Sequence, residues 1–181
     1  MSGRAMEAGL ERGSELVLRT ARPRDGAALH ALVAAAGTLE QNTLYCYVLM
    51  ADHFGDTTVI AERGGEVVGF VMAHRPPARL ESVFVWQVGV HPAARGQGIG
   101  RRMLRFLAER SAARFVEATV TPSNAASRRL FESLARELGV PFAWSDGYSA
   151  RALGGAHEPE DRVRIGPLYP RLARAGEGRP S

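Results

Sequence analysis

Apolar and polar positions in the first half of the chain follow two alternating periods, one typical of strands and one typical of helices. Runs of strand type occupy Glu15–Thr20, Thr57–Glu62 and Glu66–His74. The tripeptide Arg-Gly-Gly at 63–65 separates the last two runs, and paired glycines favour a tight hairpin turn. The sequence therefore predicts one strand and, after a gap, an antiparallel pair.

Two segments in that gap have helical spacing. The first begins at Pro23, since proline is favoured in the first turn of a helix, and runs to about Ala36, where Gly37 ends it. The second is predicted over Asn42–Phe54. Its apolar positions are Tyr45, Val48, Leu49 and Ala51.

The second half of the chain begins with an almost wholly apolar run, Ser82–Val90, as expected of a strand covered on both faces. The elements predicted after it are a helix over Gly98–Arg110, a strand over Arg114–Thr121, a helix over Ser123–Leu138 and short strands near Phe142 and at Val163–Ile165.

An antiparallel meander followed by strand, helix, strand and helix is typical of an α+β fold with a mixed central sheet. The change from antiparallel to parallel pairing is expected between Ser82–Val90 and Arg114–Thr121. No repeat or linker divides 15–170, so a single domain is predicted there. Segments 1–14 and 171–181 have no periodic apolar face and are expected to be disordered tails.

The composition is that of an ordinary globular protein, with 181 residues of which 45% are hydrophobic and 23% charged. No apolar run approaches the ~20 residues that a membrane span needs. The N-terminus has no apolar segment of the kind found in signal peptides. Cys46 is the single cysteine, so no internal disulfide is possible, and a reducing cytoplasm is expected.

The net charge of +4 does not indicate a nucleic-acid-binding protein. All 23 basic residues are arginine, and they are scattered among 19 acidic residues rather than clustered. A modest positive field suits a small polyanionic ligand. There is no HExxH spacing or second ligand cluster, so no metal is expected.

The most informative segment is Val88–Gly100, where a strand passes through a glycine-rich loop into a helix. Glycines let the backbone approach a ligand closely, and the helix N-terminus adds free N–H donors, so the segment predicts a pyrophosphate site. The spacing of Gly96, Gly98 and Gly100 is wrong for a dinucleotide-binding fingerprint, and a P-loop would need a lysine. A glycine-rich turn without a ligand is the remaining alternative.

Two motifs here resemble those of the GNAT superfamily of acyl-CoA-dependent N-acetyltransferases. Residues 95–100, RGQGIG, match its (R/Q)-x-x-G-x-(G/A) motif, and residues 121–127 match its second motif. The resemblance implies the GNAT fold and acetyl-CoA as cosubstrate, bound mainly through the backbone. The residues expected to bind it are Val88, Gly89 and Val90 on the strand and Arg95, Gly96, Gln97, Gly98, Ile99, Gly100 and Arg101 in the turn.

Asn124, in the second motif, has two compatible interpretations. The resemblance implies a place beside the pantetheine or thiol, whereas its position before a predicted helix favours a helix cap. Four arginine side chains are candidates for the cofactor's 3′-phosphate, but arginines on a helix face are more often solvated. They are Arg101, Arg102, Arg128 and Arg129.

A narrower resemblance involves the L-2,4-diaminobutyrate acetyltransferases of ectoine synthesis. It rests on LEQNTLYCY at 39–47, FVWQV at 84–88, TVTPSN at 119–124, and HEPED with RIGP at 157–167. Glu40 and Thr43 stand where that family usually has Asp and Ser. The resemblance implies acetylation of the γ-amine of L-2,4-diaminobutyrate, and relatives of this kind are commonly homodimers.

A diaminobutyrate site needs acceptors for an ammonium group and donors for a carboxylate. Glu40 and Glu158 are the candidate acceptors. The candidate donors or orienting groups are Asn42, Thr43, Tyr45, Gln87 and His157. Trp86 is a candidate wall that offers its ring face to an ammonium. Strand alternation predicts that Trp86 shares a side with Phe84 and Val88, opposite Gln87, and its default interpretation is a core residue.

The expected mechanism is direct attack of the amine on the thioester, because Cys46 is interpreted as a packing residue. The ammonium, with an ordinary pKa near ~10, must first lose a proton. The candidate bases are His157, Glu158 and Glu117. Phe131 stands where many GNAT enzymes have a tyrosine acid, so the acid is left open between Tyr45 and water.

Two alternatives stay open at the level of sequence. One is the same fold acting on another amine, such as a polyamine, a lysine side chain or a protein N-terminus. The other is a non-catalytic module that binds acyl-CoA, which the absence of the tyrosine at position 131 keeps open.

Overall fold

The computed structural model describes residues 14–37 and 39–168, which form seven strands and four helices. The strands are β1 Leu16–Thr20, β2 Val59–Arg63, β3 Glu66–His74, β4 Ser82–Val90, β5 Phe115–Val120, β6 Phe142–Tyr148 and β7 Glu160–Ile165. The helices are α1 Gly26–Ala36, α2 Leu44–His53, α3 Ile99–Arg110 and α4 Ala125–Leu138. The predicted tails lie outside the described residues, except for Ser14.

All seven strands form one mixed sheet in the order β1-β2-β3-β4-β5-β7-β6. Every neighbouring pair is antiparallel except β4 and β5, which confirms the predicted position of the parallel pairing. The predicted β2–β3 hairpin is confirmed as well, with Arg63 opposite Glu66 and positive φ angles at Gly64 and Gly65. The two short strands predicted near the end are longer than expected and form the hairpin of β6 and β7.

Helix starts differ from the predictions by one to three residues, and at α2 and α4 a capping side chain sets the start. Thr43 caps α2 by accepting a hydrogen bond from the Cys46 backbone N–H, and Asn124 caps α4 in the same way. Gly98, in a left-handed conformation, precedes α3. A short 3-10 turn at Pro23–Asp25 comes before α1.

Two hydrophobic clusters lie on the two faces of the sheet. Helices α3 and α4 cover one face, where Met103, Leu107 and Leu134 pack on Val71 and Val116. Helices α1 and α2 cover the N-terminal half of the other face. The buried cluster on this face includes Leu29, Val33, Tyr47, Phe70 and Met72. Successive β3 residues alternate between the two clusters, which explains why this strand is apolar throughout.

The apolar face predicted for α2 is wrong by part of a turn. Tyr47 is 0% exposed, and Met50 and Ala51 are also buried, whereas Tyr45 is 73% exposed. The helix begins two residues later than predicted, at Leu44, and its buried stripe passes through Tyr47. Tyr45 is therefore a surface residue at the start of the helix.

An ion-pair cluster joins β1 to the beginning of α1. The Arg19 guanidinium lies 2.7 Å from the Asp25 carboxylate and also contacts Glu62 on β2. Burial raises the pKa of the Asp25 carboxyl, but hydrogen bonds from Arg19 and from the Arg22 backbone outweigh this and lower the pKa below its usual value.

Candidate active site

The candidate site is the cleft where β4 and β5 separate. These two strands are paired only from Ser82–Phe115 to Val85–Ala118, whereas β4 continues to Val90. On its other edge β4 remains paired with β3 as far as Val90. The edge of β4 from Trp86 onward therefore presents its backbone groups to the cleft and not to a neighbouring strand.

A β-bulge at Trp86 lies at the mouth of this cleft. Met72 pairs with Gln87 and Ala73 with Val85, so Trp86 is the extra residue. The bulge changes the alternation of β4: Phe84 and Gln87 lie on the α1–α2 face, whereas Val88 packs into the α3–α4 cluster. The predicted grouping of Phe84 with Val88, opposite Gln87, is therefore wrong. Trp86 is 39% exposed, so it is not a core residue.

The turn between β4 and α3 has the geometry of an anion site. Gly96 and Gly98 have φ angles of 76° and 71°, and a Cβ at either position would meet nothing within 4 Å. Within the described residues, the backbone N–H groups from 96 to 101 donate to no protein acceptor. These closely spaced N–H donors lie at the N-terminus of α3, whose first turn has no acidic residue. Such a site fits a diphosphate such as that of CoA.

Side chains of this turn are engaged by the protein, so its backbone is the part left for a ligand. Arg95 donates to the Ala36 carbonyl at 2.8 Å, and this hydrogen bond ties the turn to the end of α1. Gln97 accepts a hydrogen bond from Arg63 at 2.7 Å. Arg101 forms an ion pair with Glu137 of α4 at 3.1 Å. These contacts stabilise the turn without occupying its amides.

The second motif lies on the other side of the cleft and is connected to the segment that precedes β7. The Asn124 side chain accepts a hydrogen bond from the Ser127 backbone, so the predicted cap is present. Ser123 donates to the Glu158 carboxylate at 2.7 Å, and Arg128 pairs with Asp161 at 2.8 Å. Glu158 therefore lies beside the second motif.

On the α1–α2 face, four residues meet at the bulge: Glu40, Asn42, Tyr47 and Gln87. Gln87 donates to the Glu40 backbone carbonyl at 2.8 Å and accepts, at 3.5 Å, from the Tyr47 hydroxyl. The same hydroxyl accepts from the Asn42 backbone N–H at 3.3 Å. Loop 40–42 is thus held against β4 by Gln87 and Tyr47, which leaves the exposed side chain of Glu40 free of these bonds.

Tyr47 was missed from the sequence, although its spacing of three and four residues from Met50 and Ala51 is the signal that could have found it. Thr43 uses its hydroxyl as an acceptor in the α2 cap. Tyr45, predicted at the substrate, is a surface residue with no hydrogen bond to another described residue. The structure brings together Glu40, Asn42 and Gln87, with Trp86 adjacent.

Glu117 lies on β5 opposite Phe84, one residue before the strands separate. It is 1% exposed, accepts a hydrogen bond from Ser82 at 2.8 Å, and lies 3.3 Å from Arg79 and 3.6 Å from Arg164. The carboxylate therefore lies between two guanidinium groups and is enclosed by protein. This arrangement favours a structural role over proton transfer to a substrate.

His157 and Glu158 lie in the exposed segment between β6 and β7. The His157 ring contacts the Glu158 carbonyl through Nδ1 at 2.7 Å, so its other ring nitrogen is directed elsewhere. Two residues on, Glu160 accepts a hydrogen bond from Thr119 of β5. Glu160 was not among the predicted site residues, although its place at the start of β7 brings it beside the cleft strand β5.

His74 is a further residue that the sequence did not single out. Its ring packs between those of Phe54 and Phe84 in tilted arrangements, at centroid distances of 5.7 and 5.5 Å. Burial lowers the pKa of His74, because a charged imidazolium is poorly solvated there. The row His74, Phe84 and Glu117 runs across β3, β4 and β5 on the α1–α2 face.

Two further observations concern the described residues as a whole. No group of three His, Cys, Asp or Glu side chains in 14–37 and 39–168 is arranged to hold a metal ion. None of the helices in this part of the chain is long and apolar enough to cross a membrane.

The mixed sheet, its separated parallel strands and the amide-lined turn together define an N-acetyltransferase fold. The model of the acetyltransferase (GNAT) family matches residues 27–135. L-2,4-diaminobutyric acid acetyltransferase of Bordetella parapertussis is 46% identical over 156 residues, 83% of this chain and 84% of the relative. The same enzyme of Shouchella clausii is 43% identical over 158 residues, 84% and 88% of the two chains.

A solved structure gives the same answer. Diaminobutyrate acetyltransferase from Paenibacillus lautus, in complex with its substrate L-2,4-diaminobutyric acid and coenzyme A, is 42% identical and superposes with a TM-score of 0.82 over 89% of this chain and 100% of that one. The chain belongs to the GNAT family and, within it, to the L-2,4-diaminobutyric acid acetyltransferases. Both resemblances seen in the sequence are thereby confirmed.

Proposed function

We propose that this protein transfers the acetyl group of acetyl-CoA to the γ-amine of L-2,4-diaminobutyrate, giving N4-acetyl-L-2,4-diaminobutyrate. The observation that carries the proposal is the meeting of two surfaces at the β4 bulge. The amide-lined turn and the free edge of β4 lie on one side, and loop 40–42 with Gln87 lies on the other. Relatives over most of the chain act on this diamine.

Acetyl-CoA supplies the activated acetyl group. Backbone N–H groups of 96–101 bind its diphosphate, and the unpaired edge of β4 at Val88–Val90 lies along its pantetheine. Asn124, which already caps α4, flanks the same channel. A backbone N–H near Val88 stabilises the negative charge that develops on the carbonyl oxygen, an effect typically worth ~3 kcal/mol.

Recognition of the diamine uses the α1–α2 face of the bulge. The Glu40 carboxylate accepts from the α-ammonium, and Asn42 and Thr43 orient the substrate from the same loop. Trp86 forms a wall of the pocket, since it is the partly exposed aromatic residue at the bulge. An ammonium over its ring adds about 0.5–2 kcal/mol.

The γ-ammonium must become a free amine before it attacks the thioester carbon. We place the proton acceptor in the segment that contains His157 and Glu158, because Glu158 is bonded to Ser123 beside the cleft. The enclosed Glu117, held by Ser82, serves as a positioning residue. The thiolate of CoA leaves and takes its proton from Tyr45 or water, since Phe131 is buried and has no hydroxyl.

The proposal extends to the setting of the reaction. We infer that the protein acts in the synthesis of ectoine, in the cytoplasm and as a homodimer. The first point follows from the motifs it shares with enzymes of that synthesis, and the second from its single cysteine, which lies in a helix without a disulfide partner.

The test uses the purified full-length protein with acetyl-CoA and a panel of amines, with free thiol as the readout. Diaminobutyrate should give the highest kcat/KM, above spermidine, lysine and an N-terminal peptide. NMR of the product should show the acetyl group on the γ-nitrogen. Equal rates with several amines would contradict the assigned substrate, and CoA binding without turnover of any amine would indicate a binding module.

A further inference from the structure

Arg63, the last residue of β2, holds an unusual buried charge. Its side chain is enclosed, with 7% of the residue exposed, and its Nε is buried without a hydrogen-bond partner. No carboxylate among the described residues lies within 4.0 Å of its guanidinium. The neighbouring Glu62 is paired with Arg19. Because a buried, unneutralised charge is costly, its retention calls for a physical reason.

The one hydrogen bond that the Arg63 side chain donates to a described residue leads directly to the cofactor turn. Its Nη1 lies 2.7 Å from Oε1 of Gln97, the residue between the two left-handed glycines Gly96 and Gly98. Gln97 in turn donates to the Ala93 carbonyl at 3.5 Å. One side chain, that of Gln97, therefore separates the Arg63 guanidinium from the free backbone amides. The first turn of α3, which follows these amides, has no acidic residue.

We propose that Arg63 is a positioning residue for the diphosphate of the acyl carrier. Its hydrogen bond fixes the Gln97 side chain, and its unneutralised charge adds to the positive electrostatic potential at the turn. The counter-charge missing from the protein is supplied by the ligand. This inference rests on the proposed function, since it takes the turn to be a CoA site. It assigns a role to a residue that contacts neither the thioester nor the amine.

The test compares two acyl donors, acetyl-CoA and S-acetylpantetheine, of which only the first has a diphosphate. In Arg63→Met, KM for acetyl-CoA should rise about tenfold, as expected for loss of one charge near an anion in a partly buried site. KM for diaminobutyrate and kcat/KM with S-acetylpantetheine should be unchanged. Arg63→Lys, which keeps the charge, should recover part of the loss.

Arg110→Met is the matched control. It removes an arginine charge at the C-terminal end of α3, about 18 Å along the helix from the cofactor turn. The kinetic constants with both donors should be unaffected. Thermal unfolding without ligand supplies a second readout. Because Arg63→Met removes an uncompensated buried charge, its melting temperature without CoA should equal or exceed that of the wild type, whereas the rise on adding CoA should be smaller.

An equal loss with both donors, together with a lower melting temperature without ligand, would overturn the inference and indicate a purely structural arginine. Unchanged KM for acetyl-CoA in Arg63→Met would also overturn it, while leaving the proposed function intact. A wild-type protein that does not bind CoA would overturn the proposed function and this inference with it.

Discussion

At the scale of single residues, the proposed cofactor side of the site depends on backbone conformation and the proposed substrate side on side chains. Gly96 and Gly98 are required for their positive φ angles, since the space beside them is open. On the substrate side, Trp86 and Gln87 owe their directions to the bulge between them and β3. Substitutions on the two sides should therefore affect different kinetic constants.

Gly98→Val should abolish measurable CoA binding, with a loss of at least about a hundredfold. A β-branched residue at a φ of 71° is strained, so the turn must change conformation and its N–H groups lose their common direction. Calorimetry with CoA measures the effect. Gly100→Ala is the control, because its new Cβ would lie at an ordinary 3.5 Å from Leu130. Retained CoA affinity in Gly98→Val would rule out an amide-based site.

Trp86→Ala and His157→Ala should lower kcat/KM for diaminobutyrate by about tenfold or more, while CoA affinity changes by less than about twofold. Both side chains are exposed, and within the described residues neither is hydrogen-bonded to residues 96–101. Steady-state kinetics with each substrate varied in turn separates the two effects. Wild-type activity in both variants would remove these residues from the site.

At the scale of elements, capping groups and ion pairs place the helices that form the cleft. Helix α4 begins at Ala125 because Asn124 accepts a hydrogen bond from the Ser127 backbone. Helix α1 follows a turn that the Arg19–Asp25 pair ties to β1. These contacts can be tested by stability measurements that are independent of catalysis.

Asn124→Ala should lower the free energy of unfolding by about 1 kcal/mol, the usual effect of removing a helix cap. Asn124→Asp should restore this stability, since aspartate caps equally well. Chemical denaturation measures both variants. If Asn124 also contacts the pantetheine, the Asp variant should stay impaired in KM for acetyl-CoA despite its restored stability; a full recovery of KM would limit Asn124 to capping.

Asp25→Asn should lower the free energy of unfolding at pH 7 by about 1.5–3 kcal/mol, the range for hydrogen bonds to charged groups. The pKa of Asp25 is lowered in the folded state, so its contribution is complete above the ordinary aspartate pKa of ~3.9 and is lost as the pH falls through the lower folded value. Between pH 7 and 2, the free energy of unfolding should therefore fall less steeply at the acid end for the variant than for the wild type. Parallel pH profiles would contradict this role.

At the scale of the whole molecule, the site exists because one sheet changes its pairing direction. Antiparallel pairing continues from β1 to β4 and resumes from β5 to β6, while the short parallel pairing of β4 with β5 ends at Val85 and Ala118. Two hydrophobic clusters, one on each face, support the strands on both sides of this opening. The cleft is therefore kept open by rigid elements, which suits an enzyme that must align two substrates.

Much of this architecture was predictable from the sequence, because the signals are local. The bounds of β3 and β4, the hairpin at 63–65 and the turn at 95–100 depend on residues that are neighbours in the chain. Glycines with positive φ, apolar periodicity and capping residues act over a few positions only. For the same reason the cofactor motif could be recognised before any tertiary contact was known.

Tertiary structure alone decided which side chains of the proposed site are exposed at the cleft and which are held by the protein. The bulge at Trp86, the burial of Tyr47 and the enclosure of Glu117 all arise from contacts between residues more than ten positions apart in the chain. A single extra residue in β4 reverses the alternation beyond it, so no reading of the strand by itself assigns Gln87 and Val88 to their faces. The same is true of Arg63, whose side chain is hydrogen-bonded to Gln97 in a turn 34 residues away.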